Sequence, residues 1–202
     1  MQLWYASTSP FARKVRVAAE ELGLTSRLDL IEVDPWTNTR LRALNPLAKV
    51  PTLVLDQGEC LYESAVICDY FDALGPERRL IPPAGPGRWR ALRLQGLADG
   101  ASAAAGRLFA DEHRPRNERS DGVMERQRLA LAAALAAVEA ERLDPEICTV
   151  GEISVGVLLG YLDFRWPDRE WRRARPALSE WFSGFSARYS MVSTEHRPAR
   201  PL

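Results

Sequence analysis

Residues 50–74 constrain the fold of this chain more than any other stretch. Val50-Pro51-Thr52-Leu53-Val54-Leu55 opens with a proline and continues with β-branched and apolar residues, the composition of a short buried strand. Pro51 stands at the threshold of that strand, where its missing N–H removes no ladder bond. Gln57-Gly58-Glu59 is turn chemistry, so Cys60 to Tyr62 is expected to return as an antiparallel partner. Glu63-Ser64 then opens an amphipathic helix with Ile67, Cys68, Phe71 and Leu74 on one stripe. Two polar side chains thus stand at a helix start, close to a proline whose cis or trans state the sequence leaves open.

The residues upstream extend this into a β-α-β-α-β-β-α order. Leu3-Trp4-Tyr5 reads as a first strand, and Ser9-Pro10 as the N-cap and first position of a helix that stops at Gly23. Leu28 to Val33 is the next strand, and Thr39 to Leu44 a short helix. That order suits an α/β, thioredoxin-like domain with a mixed sheet. The Pro/Gly-rich stretch 75–87 then separates it from an all-α half, giving domains at 1–80 and 88–202 with a linker at 81–87. In the second half, Arg88 to Glu112 reads as a long helix with many small residues at its centre. Such a surface admits a neighbouring helix, from this chain or a second copy, or a ligand. A second long helix runs from Ser120 or Asp121 to Arg142, with Leu129, Leu131, Leu135 and Val138 inside. Thr149-Val150-Gly151-Glu152 is a capping box before a helix that is apolar nearly all round, and therefore central. Pro167 to Ala174 reads as a short exposed charged piece. A last helix ends near Arg188, and Thr194 to Leu202 reads as an extended or loose tail.

Lys plus Arg and Asp plus Glu number 27 each, which points away from nucleic-acid and anionic-membrane partners. No apolar run approaches the roughly 20 residues needed to span a bilayer, and residues 1–5 carry no signal-peptide pattern. Cys60, Cys68 and Cys148 are widely spaced and odd in number, as expected of reduced thiols in a cytoplasm. His113 and His196 lie in polar sequence surroundings, so no metal site is expected.

Asn45-Pro46-Leu47-Ala48-Lys49-Val50-Pro51-Thr52-Leu53, followed by Glu63-Ser64-Ala65-Val66-Ile67, resembles the glutathione-binding signature of the soluble glutathione S-transferases. The resemblance implies that Val50, before a cis Pro51, offers its backbone to the cysteinyl part of glutathione. It also implies that Glu63 and Ser64 hold the γ-glutamyl end and that Lys49 meets the glycine carboxylate. A helix start favours a carboxylate by its free N–H groups and dipole. Thr8-Ser9-Pro10-Phe11 resembles the active-site segment of the tau class and bacterial relatives, which makes Ser9 the candidate donor to the glutathione sulfur and Phe11 a candidate wall of the second-substrate pocket. The omega class has Cys at the place of Ser9. Thr8 and Ser7 remain alternatives to Ser9, and plain helix capping is the other role for Ser9, Glu63 and Ser64. Ala101, Ala105 and Phe109 are further candidates for the second pocket. Relatives often place a basic residue after the second strand, where this chain has Trp36-Thr37-Asn38, so the glycine end is expected to be held less strongly.

The function implied is that of a cytoplasmic, homodimeric glutathione transferase of detoxification type. Glutathione is its co-substrate and no metal takes part; its thiolate attacks a small electrophile or a peroxide. The competing reading is a non-catalytic, protein-binding module of the same fold.

Overall fold

The computed structural model describes residues 1–75, 79–168 and 171–198. Residues 76–78 of the expected linker stretch, 169–170 of the expected charged piece and 199–202 of the expected tail lie outside the described residues.

The first half is a thioredoxin-like unit. Strands β1 (Gln2–Tyr5), β2 (Asp29–Glu32), β3 (Thr52–Val54) and β4 (Cys60–Tyr62) form one mixed sheet in the order β2-β1-β3-β4. β1 runs parallel to β2, with Leu3 opposite Leu30, and antiparallel to β3, with Leu3 opposite Leu53. β3 and β4 form the expected antiparallel pair, joined through a turn in which Gly58 takes φ +89°, a conformation that favours glycine. Helices α1 (Pro10–Glu21), α2 (Thr39–Leu44) and α3 (Ser64–Leu74) complete the unit. Ile67, Cys68 and Phe71 are the buried stripe of α3.

The second half is all-helical: α4 (Gly85–Glu112), α5 (Asp121–Ala140), α6 (Val150–Arg165), α7 (Pro176–Phe185) and α8 (Tyr189–Ser193). α4 starts inside the stretch expected to be linker, because Pro86 falls in its first turn, where a fixed φ and a missing N–H are tolerated. Residues 80–81, just before it, are tied down rather than loose. Leu80 and Ile81 are buried, their N–H groups donate to Asp72 Oδ1 at 2.5 and 3.3 Å, and the Leu80 carbonyl accepts from Val150 N–H at 2.9 Å. Leu129 lies on the solvent side of α5, 62% exposed, and is not an inward residue. The short α8 was not anticipated, and Thr194 and His196 beyond it are buried, so the described part of the tail is fixed in place.

α6 carries the capping box of Thr149 and Glu152 and is buried along nearly all its length. It packs on α4, and also on α1 of the first unit. Close approach depends on its glycines rather than on those of α4. A Cβ on Gly151 would sit 2.8 Å from the Ala91 carbonyl oxygen and 2.9 Å from Leu94 Cβ, whereas Gly96 and Gly100 face open space. Because the obstacle is helix backbone, Gly151→Ala forces α4 and α6 apart. We expect a loss of about 1–3 kcal/mol, read as a fall in the urea midpoint at unchanged slope. Gly100→Ala, by contrast, meets no other part of the chain, so within one chain it gains about 0.5–1 kcal/mol from helix propensity.

Candidate active site

The chain between β1 and α1 makes a tight turn in which Ser9 N–H donates to the Ala6 carbonyl at 3.0 Å. Ala6 and Ser7 are buried, while Thr8 and Ser9 are half-exposed. Ser9 is the N-cap of α1: its Oγ accepts from Ala12 N–H at 3.2 Å. Capping uses a lone pair and leaves the hydroxyl proton to donate elsewhere, so capping and donation to a ligand are compatible at this residue.

The loop from α2 to β3 is built around Asn45, which is 1% exposed. Its amide donates to the Lys49 carbonyl at 3.1 Å and to Thr52 Oγ1 at 3.0 Å, and its Oδ1 accepts from Leu47 N–H at 3.0 Å. Thr52 Oγ1 closes the set by donating to the Lys49 carbonyl at 2.9 Å. The loop is thereby held through Lys49 and Val50 into a cis Val50–Pro51 bond. At the start of α3, Glu63 takes φ +71°, costly for a residue with a Cβ, and its side chain makes no capping bond. Its carboxylate is exposed, and Ser64 beside it is buried.

These three pieces meet in one cleft of about 690 Å³. Thr8, Ser9 and Phe11 line it from the β1–α1 corner, Lys49, Val50 and Pro51 from the Asn45 loop, and Glu63 and Ser64 from α3. Ser7 and Tyr5 are not among its lining residues; Tyr5 is buried with the Arg16 guanidinium 4.8 Å above its ring. Of the expected second-pocket residues on α4, Ala101 and Ala105 are buried in the helical core and Phe109 packs edge-on against Trp166. A helix turns about 100° per residue, so α4 presents Asp99 and Ala103 to the cleft instead.

Sequence reasoning missed two charged members of this cleft, Arg42 and Asp99. Arg42 sits on α2, one turn after the Trp36-Thr37-Asn38 loop that lacks a basic residue, and returns a cation to that side of the cleft. Asp99 pairs with Lys14 of α1, Nζ to Oδ2 at 2.6 Å, with the Lys14 side chain 1% exposed. Burial holds the Asp99 carboxyl above the usual carboxylate range, Lys14 opposes that rise, and the nearby negative charge of Glu63 adds to it. The cleft is therefore cationic at Arg42 and Lys49 and anionic at Glu63 and Asp99. Burial pushes the Cys68 thiol up to about 12, so it is a packing residue and not a nucleophile. His196 is not exposed among polar neighbours: it is buried, in contact with the rings of Tyr161 and Phe164 and close enough to Arg13, Arg16 and Arg165 to feel their charge. Among the described residues no group of three or more His, Cys, Asp or Glu side chains is placed to hold a metal, and no helix is long and apolar enough to cross a membrane.

Residues 8–74 match the model of the glutathione S-transferase N-terminal domain, and residues 121–183 that of the C-terminal domain. A crystal structure of a glutathione transferase family member from Pseudomonas fluorescens Pf-5, solved with bound glutathione, is 37% identical. It covers 98% of this chain, which covers 99% of it, with a TM-score of 0.92. A glutathione S-transferase from Methylobacterium radiotolerans, solved with glutathione sulfonate, is 32% identical at a TM-score of 0.90, covering 100% of this chain and 96% of its own. The uncharacterized GST-like protein YibF of Escherichia coli is 29% identical over 96% of this chain and 98% of its own length.

Proposed function

The chain belongs to the glutathione S-transferase family, and we propose that it binds glutathione in the cleft described above and activates its thiol as a thiolate. One observation carries the reading: a single cleft collects Ser9, Lys49, Val50, Pro51, Glu63 and Ser64, together with the cation Arg42 and the carboxylate Asp99. Glutathione is a peptide with carboxylates at both ends and an ammonium at one. Lys49, with Arg42, meets the glycine carboxylate. Val50 offers its backbone to the cysteinyl residue. Ser64 and the N–H groups at the start of α3 take the γ-glutamyl carboxylate, while Glu63 meets the ammonium. The bound glutathione of the Pseudomonas fluorescens relative supports this choice of ligand.

The chemistry follows from thiol acidity. A free thiol with pKa ~8.5 is only a few per cent ionised at neutral pH. The Ser9 hydroxyl proton and the N-terminus of α1 both stabilise the thiolate, which then attacks an electrophilic carbon or a peroxide. Ser9 is a donor and not a nucleophile. Phe11, with Trp36 and Ala103, walls the space open to the second substrate.

Calorimetric titration with glutathione tests the reading: saturable heat is expected below millimolar ligand, and none at millimolar ligand would favour a protein-binding module. Ser64→Ala is expected to weaken binding by about 0.5–1.5 kcal/mol, or more for a bond to a charged group, with the melting temperature unchanged. Unchanged affinity with a lower melting temperature would reduce Ser64 to a helix-start residue. We also propose a homodimer, assembled on the small-residue surface of α4 that Gly96 and Gly100 leave open. Light scattering should give twice the 22.6 kDa of one chain, and a mass at that single value rules the dimer out.

A further inference from the structure

The turn that presents Thr8 and Ser9 is held by a residue from the far end of the chain. Ser9 N–H on the Ala6 carbonyl makes Ala6 to Ser9 a four-residue turn, with Ser7–Thr8 as its middle peptide. Turn types differ by rotation of this middle peptide, which changes ψ of Ser7 and φ of Thr8 and so the backbone from which the Thr8 side chain leaves. Here its carbonyl, on Ser7, lies 3.1 Å from Nδ1 of His196, and the bond is buried.

A carbonyl only accepts, so Nδ1 carries the proton. Burial first, then Arg13, pushes the His196 pKa down to about 3, so the ring is neutral and Nε2 is bare. Nε2 is buried without a hydrogen-bond partner. The ring lies stacked on Phe164, centroids 5.3 Å apart at 21°, and 5.5 Å from Tyr161. A phenylalanine would fill the same aromatic slot without leaving a buried polar atom unpartnered. What phenylalanine cannot supply is the donor to Ser7.

We propose that His196 is a positioning residue of the thiol site, fixing the Ser7–Thr8 peptide and through it the direction in which Thr8 and Ser9 present their hydroxyls. The inference rests on the proposed binding of glutathione. It gives the end of the described chain a part in the site, across 189 residues of sequence.

Three variants test it, each followed by thiolate absorbance of bound glutathione against pH and by calorimetric affinity. His196→Phe keeps the ring and removes the donor. His196→Gln carries an amide at the place of Nε2, out of line with Ser7. His196→Asn carries an amide at the place of Nδ1. The Phe and Gln variants are expected to bind glutathione with nearly normal affinity. Their thiol should titrate at higher pH, so that the thiolate fraction at neutral pH falls about two- to tenfold. The Asn variant is expected to restore the wild-type curve. Should His196→Phe fail to fold, the contrast between Gln and Asn carries the test. Normal glutathione binding with all titration curves superimposed, or an Asn variant no better than Gln, overturns this inference alone. A wild-type protein that binds no glutathione overturns the proposed function and this inference together.

Discussion

Replacing Ser9 by Ala is expected to raise the pKa of glutathione's bound thiol by about 1–2 units, the equivalent of a charge-assisted hydrogen bond of ~1.5–3 kcal/mol. At neutral pH this lowers the thiolate fraction, and with it turnover, by about tenfold. The same substitution removes the cap that Ser9 Oγ provides to Ala12 N–H, at a cost of ~1 kcal/mol in stability. The two effects are read separately, the first by thiolate absorbance against pH in the complex, the second by the urea midpoint. Ser9→Cys supplies a complementary gain. A thiol at the N-terminus of α1 has a lowered pKa, and its thiolate attacks glutathione disulfide to give a mixed disulfide and release glutathione thiolate. Cys68 does not confound that assay, since its thiol is held near 12. A Ser9→Ala protein that loses stability while its thiol titration overlaps the wild type would leave Ser9 as a cap alone. Thr8, which also lines the cleft, would be the next hydroxyl to replace.

The fold was legible because its signals are local. Pro51 before a β-branched run, Gly58 in a turn and the Thr149–Glu152 box each act within a few residues, and the order of elements along the chain follows from such signals, whereas the order of strands in the sheet does not. The elements of the Ser9, Val50 and Glu63 segments were legible for the same reason. What escaped depends on side chains that meet across the two units. Asp99 lies in an Ala/Gly-rich helix whose facing cannot be phased from hydrophobic periodicity, so the expected Ala101 and Ala105 stand two residues, about half a helical turn, away from the cleft-facing Asp99 and Ala103. Lys14 sits among Arg13 and Arg16 on α1 and reads as solvated until α4 covers it. His196 reads as exposed because Glu195 and Arg197 flank it in sequence, whereas in the fold it is buried against Phe164, Tyr161 and the Ser7 carbonyl, with Arg13 nearby. Leu80-Ile81 was hidden by the prolines and glycines around it, although an apolar pair in such a stretch is a signal that part of it is anchored.

Lys14→Met is expected to destabilise the protein by about 2–3 kcal/mol, and more at pH 7 than at pH 4. Lys14 Nζ meets Asp99 Oδ2 at 2.6 Å across the α1–α4 contact, with side-chain exposures of 1% and 26%. Two opposing terms decide the outcome. Removing one partner of a buried pair costs about 3–5 kcal/mol because the other charge is stranded, but water reaches a quarter of Asp99 and offsets part of that. The sign of the pH dependence follows from the carboxyl left behind. Burial already raises its pKa above the unfolded value, and Lys14 opposes that rise. Without Lys14 the folded-state pKa climbs further. A group whose pKa is raised on folding contributes stability that is present below its unfolded pKa and is lost as pH rises through its folded pKa. The deficit of Lys14→Met relative to wild type should therefore widen between pH 4 and pH 7 in urea titrations. Adding Asp99→Leu removes the stranded charge, so the double variant should recover most of the loss and show no such widening. A deficit independent of pH, or a double variant no more stable than Lys14→Met, would place the cost in packing around the lysine stem and not in the ion pair.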